Sequence, residues 1–167
     1  SGNDILIGRA GDDTQFGEQG NDIFGNPSTA TNNTADDPGQ DFNFGGPGFD
    51  NFIWDVGDGP DVNIGGDDGA DIFRIFGGAA ADTFVLQAGG TPTHFNTVFN
   101  GAVTIDNHGI EDVRVDGQGD ADTFTVNDLF GTEVVSINLI LGAADTAIDT
   151  VTVNGRTTDD ALHITSP

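Results

Sequence analysis

The chain has 167 residues, the span of one domain or of a stretch of repeat array, and carries four Arg, no Lys and 28 acidic residues, for a formal net charge of −24. That charge excludes nucleic acid and anionic membrane surfaces as natural partners. The absence of Cys excludes disulfide scaffolds, zinc–thiolate sites and thiol catalysis, leaving only metals that accept oxygen or imidazole ligands.

All the acids but Glu18, Glu111 and Glu133 are Asp, and there are 26 Gly. Acidity for solubility would raise both acids, so the bias points to Asp used for its short side chain in turns. No stretch approaches about 18 consecutive apolar residues, so membrane insertion is not expected. The start, Ser1-Gly2-Asn3-Asp4, has neither an initiator Met nor the regions of a signal peptide and reads as a piece of a larger protein. Thirteen Phe argue against disorder, provided that something neutralises the crowded Asp.

The chain opens on a repeat: GNDILIGRA, GDDTQFGEQ, GNDIFGN, with Asp4, Asp13 and Asp22 nine residues apart. Looser units follow, GQDFNFGGP, GFDNFIWDV, GPDVNIGGD, GADIFRIFGG and AADTFVL, with Asp41, Asp50, Asp61, Asp71 and Asp82. Two nonapeptides make one turn of a coil, so alternate aspartates are expected above one another. One edge would run Asp4, Asp22, Asp41, Asp61, Asp82, and the other Asp13, a missing member, Asp50, Asp71. The gap falls in the polar loop at 26–38, which stands where a unit near residue 31 is expected. Two residues after each Asp the side chain is Leu6, Phe24, Phe52, Phe73 or Phe84, but Gln15, Asn43 and Asn63 in three units. Because Phe42, Phe44, Val62 and Ile64 flank the two Asn, alternation predicts those four buried and an exposed Asn43–Asn63 ladder.

Beyond Leu86 the period fades, and short alternating strands are predicted at 103–105, 113–115, 124–126, 135–141, 151–153 and 162–164. Asp82-Thr-Phe-Val, Asp122-Thr-Phe-Thr and Asp149-Thr-Val-Thr are copies of one another. No helical pattern exceeds two turns, so the chain is expected to be all-β.

The nonapeptide run resembles the repeats of RTX (repeats-in-toxin) proteins, G-G-x-G-x-D-x-U-x with U a large apolar residue, over residues 2–86. The resemblance implies a calcium-loaded parallel β-roll over 1–86, with the loop at 26–38 inserted. A right-handed β-solenoid continuation or β-rich cap would occupy 87–167. It further implies several Ca2+ ions held by Asp4, Asp13, Asp22, Asp41, Asp50, Asp61, Asp71 and Asp82 and by the turn glycines Gly2, Gly11, Gly20, Gly39, Gly48, Gly59 and Gly69. Ala80 stands in place of the turn Gly before Asp82. The physical reading agrees: Gly bares carbonyls at a corner, and rungs about 4.8 Å apart crowd carboxylates that a hard, oxygen-seeking cation would relieve. Asp4 and Asp22 are expected to form the best site and Asp13, without its partner, a weaker one.

Other constellations are weak. His94, His108 and His163 show no short-spaced pairing, no Ser sits in G-x-S-x-G, and periodic Asp needs no catalytic pair to explain it. The Asp116–Asp122 segment lacks the Gly and Glu of an EF-hand and reads as another corner. Trp54 reads as a packing residue. The expected function is non-catalytic. The chain would be a structural calcium-binding module of a secreted or cell-surface protein, adhesin or surface-layer in type, folding after export beside copies of itself or neighbouring modules. The alternative is an accessory region of a secreted hydrolase, protease, lipase or epimerase.

Overall fold

The computed structural model describes residues 1–27, 38–66, 68–142 and 146–156. Among them every regular element is a strand: β1 (Ile5–Leu6), β2 (Thr14–Phe16), β3 (Ile23–Phe24), β4 (Phe42–Phe44), β5 (Asn51–Asp55), β6 (Val62–Ile64), β7 (Ile72–Phe76), β8 (Thr83–Ala88), β9 (His94–Phe99), β10 (Val103–His108), β11 (Asp112–Asp116), β12 (Thr123–Val126), β13 (Ser136–Ile140) and β14 (Thr150–Val153). The predicted strand at 162–164 and most of the 26–38 loop lie outside the described residues. The local logic is uniform through β8. An Asp ends the turn, β-forming residues follow at once, and in β2, β4, β6 and β7 a Gly closes the strand.

The strands form two sheets. One is wholly parallel, β1-β3-β5-β7-β11-β13; the other runs β14-β12-β8-β9-β10-β6-β4-β2 and is parallel except where β9 lies antiparallel between β8 and β10. The chain changes sheet at every successive strand apart from β8, β9 and β10, which stay together. That hairpin was not expected from the sequence. It lodges between β6 and β8, so Asp61 and Asp82 are not neighbours as expected.

Inward-facing residues make the core. Leu6, Phe24, Phe52, Phe73 and Val113 lie in one cross-strand row, with the Phe24 and Phe52 rings stacked at 4.8 Å. Phe84 stacks on Phe124 at 5.1 Å in the facing sheet. Trp54 packs as expected: it is buried against Phe99, and its indole N–H donates to the Gly59 carbonyl at 2.8 Å. Each buried ring contributes on the order of 2 kcal/mol, so these rows hold the two sheets together.

The Asn ladder faces the opposite way from expectation. Asn43 and Asn63 are 6% and 3% exposed, whereas Phe42 on the outer face is 40% exposed. Gln15 donates to Asn43, Asn43 to Asn63 and Asn63 to Asn107 at 3.0, 3.0 and 3.1 Å, so each amide spends its polar atoms on the next. The physical reason is the aspartate. Asp41 and Asp61 are buried at the corner, and the residue two positions on must share their face. The same rule turns Phe24, Phe52, Phe73 and Phe84 inward after Asp22, Asp50, Asp71 and Asp82. The added residues between units enter the turns and leave the strand register unchanged.

Candidate metal sites at the aspartate corners

The corner aspartates are stitched across rungs by one repeated bond, in which the backbone N–H of one Asp donates to Oδ1 of the next. Asp4 donates to Asp22, Asp22 to Asp50 and Asp50 to Asp71, at 2.7, 2.8 and 2.8 Å, and the Asp71 N–H ends the column on Glu111 Oε2. A second column joins Asp13 to Asp41 and Asp41 to Asp61 at 2.8 and 3.0 Å. A third joins Asp82 to Asp122 and Asp122 to Asp149, linking the three Asp-Thr copies.

This corrects the expected stacking. Asp22 lies under Asp50 rather than Asp41, and Asp13 has Asp41 as its partner, so neither column is missing a member. Both contacts span 28 residues against 18 for Asp4 to Asp22, so the loop adds ten residues to one turn and exchanges the two edges. The turn glycines follow the corrected columns. A Cβ on Gly20 would strike the Gly2 carbonyl, one on Gly48 that of Gly20, and one on Gly69 that of Gly48. Gly39 meets Gly11 and Gly59 meets Gly39 in the same manner. The carbonyl of each corner thus occupies the place a side chain would need on the next.

The second carboxylate oxygen is the telling atom. Asp22 Oδ2, Asp50 Oδ2 and Asp122 Oδ2 are buried without a hydrogen bond. Each lies where a Cβ on Gly17, Gly45 or Gly117 would fall, and at Gly17 and Gly45 the same small space is bounded by the carbonyl oxygens of Gly45 and Gly65. Asp71 Oδ2 repeats the arrangement with Gly65 and the Gly109 carbonyl. Burial pushes the Asp50 carboxyl up, pushes Asp71 up to about 7 and Asp122 to about 6. A buried, unpaired carboxylate is costly, so these columns need either protons or a cation. Carboxylate and carbonyl oxygens together form a hard donor set, which fits Ca2+ chemically and suits softer metals poorly.

Comparison with protein families, with curated proteins and with solved structures found no match. The chemistry of the corners therefore carries the functional reading.

Three features escaped the sequence reading. Glu111 takes the place of a corner Asp, visible only once β7 pairs with β11. Asn107 completes the amide ladder through the β6–β10 pairing. His94 and His108, 14 positions apart, are directly opposite each other in the β9–β10 hairpin. Asn100-Gly101, both with positive φ, was the signal that could have found this hairpin, because Asn-Gly between alternating runs marks a tight turn. The Asp116–Asp122 segment behaves as a corner: Asp122 Oδ1 is held by the Asp82 N–H, while Asp116 Oδ1 accepts from Gln118.

Proposed function

We propose that the chain is a calcium-dependent structural module, a right-handed β-roll continuing into a longer-runged β-solenoid, that works outside the cell and catalyses nothing itself. The observation that carries the reading is the set of buried carboxylate oxygens on Asp22, Asp50 and Asp122 that have no hydrogen bond. Asp4, Asp13, Asp22, Asp41, Asp50, Asp61, Asp71 and Asp82 would supply carboxylate oxygens, and the carbonyls of Gly45, Gly65 and Gly109, which border the second oxygens of Asp22, Asp50 and Asp71, would supply the neutral donors. A bound cation supplies positive charge between carboxylates that otherwise repel. The protein's part is to hold those oxygens in columns: the N–H groups of Asp4, Asp22 and Asp82 fix Oδ1 of Asp22, Asp50 and Asp122, whose Oδ2 atoms make no hydrogen bond.

The energetics suit an extracellular setting. Extracellular calcium modules bind with dissociation constants of about 10⁻⁴ to 10⁻³ M, so millimolar calcium fills them and cytosolic calcium does not. A site at 100 times its dissociation constant adds about 2.7 kcal/mol, and a few such sites outweigh the marginal stability of a domain. The chain would therefore stay unfolded before export and fold afterwards, as part of a secreted or surface-exposed protein. Circular dichroism in chelator and then in millimolar calcium tests this. The expected result is a β-spectrum that appears with calcium and is lost on chelation; an identical spectrum in both would overturn calcium-dependent folding.

A further inference from the structure

The outer face of the β9–β10 hairpin carries a cluster that the calcium columns do not use. His94 pairs with His108 and Asn96 with Asp106 in the antiparallel register, which places all four on one face. The two imidazoles lie with ring centroids 3.3 Å apart. Asp106 spans them: Oδ2 is 3.1 Å from His108 Nε2, and Oδ1 is 3.8 Å from His94 Nδ1. Asp106 Oδ1 is buried and makes no hydrogen bond, and the same holds for Asn96 Oδ1 across the ladder.

We propose that His94, His108 and Asp106 form a binding site for one divalent transition-metal ion of the zinc class, separate from the calcium columns. Imidazole nitrogen is a poor ligand for Ca2+ but a preferred one for Zn2+, Ni2+ and Cu2+. One ligand atom from each residue already lies within 4.8 Å of the other two. Tetrahedral ligands at about 2.1 Å from a common zinc ion lie about 3.4 Å apart, so closure needs at most about 1.4 Å of relative side-chain movement. Two His and one carboxylate leave a fourth tetrahedral position, and all three residues are half-buried and reachable by solvent. Asp106 Oδ1, which has no hydrogen-bond donor, gains a partner when the ion binds. The hairpin register holds the ligands on adjacent strands with their backbones hydrogen-bonded, so the site is largely pre-formed.

The proposal does not rest on the calcium reading, and its test is run with calcium saturating. Zinc is titrated calorimetrically into the full chain in millimolar calcium, beside His94→Gln and His108→Phe. The latter extends the outward row of Phe16, Phe44 and Ile64 that leads to position 108. We expect one equivalent of zinc bound by the parent chain and a loss of at least about tenfold in affinity in each variant. Nitrogen NMR of the unsubstituted protein supplies the check that needs no variant: zinc should shift the ring nitrogens of both His94 and His108. Zinc affinity unchanged by both substitutions, or ring nitrogens unmoved at millimolar zinc, would overturn the site and assign any zinc uptake to the carboxylate columns.

Discussion

The backbone N–H of Asp22 donates to Oδ1 of Asp50, 28 residues later, and leaves Asp50 Oδ2 buried beside Gly45 with no donor. The two oxygens of one carboxylate are therefore differently placed, one bonded to the neighbouring strand's corner and one left without a partner, where the proposed cation would bind. Asp50→Asn separates them. The amide oxygen can still accept from Asp22, while the buried charge is gone. In chelator the variant should be more stable than the parent by about 1–3 kcal/mol, and its gain in melting temperature on adding calcium should shrink. Thermal melts with and without calcium check this; a variant as calcium-responsive as the parent would mean that Oδ2 of Asp50 binds nothing.

The calcium-free protein should weaken as pH rises through the neutral range. Asp71 and Asp122 are pushed up to about 7 and about 6 by burial, so the folded state holds protons that the unfolded state has released. Where the folded state binds more protons, stability falls with rising pH. Their contribution is fully present below the ordinary carboxylate range near 4 and is lost between there and about 7. Asp112 works oppositely at the acid end. Burial there is outweighed by hydrogen bonds from Ser136 and Arg114, which hold its carboxyl down, so its contribution disappears at low pH. Urea midpoints in chelator should therefore be higher near pH 5 than near pH 7.5. Saturating calcium should flatten or reverse that slope, since an ion bound as proposed would replace the protons.

Asn63→Leu should destabilise the protein despite adding apolar bulk to the interior. It removes the acceptor of Asn43 Nδ2 and the donor to Asn107 Oδ1 together, leaving two buried polar groups unpaired. Each unpaired group costs about 1–3 kcal/mol, against about 2 kcal/mol gained by burying a leucine side chain. Replacing Asn43, Asn63 and Asn107 together by Leu should recover part of the loss, because few polar partners are then left stranded. Chemical denaturation of the single and triple variants decides it, and a stabilised single variant would show that the ladder is not closed.

The sequence made the local unit legible and the long-range order much less so. Asp followed by β-formers and Gly specifies corner, strand and corner without reference to the rest of the chain, and β1 to β8 begin where that pattern places them. Which corner stacks on which depends on the length of each turn. Ten added residues at 26–38 moved Asp22 from Asp41 to Asp50 without disturbing either unit. Residue type misled at Asn43 and Asn63, because polarity suggested solvent while the period set by Asp41 and Asp61 turned both inward, where matching amides on four strands satisfy one another. The His94–His108 pair was hidden for a different reason: metal-ligand patterns are read along the chain, and an antiparallel register reflects it about a turn.

The corner glycines allow backbone strain and steric collision to be separated. Gly11 has φ of 127° with nothing near its missing Cβ. Gly39 lacks a positive φ, but its Cβ would strike the Gly11 carbonyl. Gly69 carries both burdens, with φ of 118° and the Gly48 carbonyl in the way. Alanine at Gly11 should cost only the left-handed strain, about 1–2 kcal/mol. Alanine at Gly39 must push two rungs apart, lengthening the neighbouring Asp13 to Asp41 bond, and should cost more. Alanine at Gly69 should cost the most and should also lower calcium affinity, since it displaces the column at Asp50 and Asp71, whereas Gly11→Ala should leave that column untouched. Urea midpoints in millimolar calcium, with calcium titrations of the same variants, test the order. Equal costs at Gly11 and Gly69 would mean that the stacked carbonyls do not set the rung spacing.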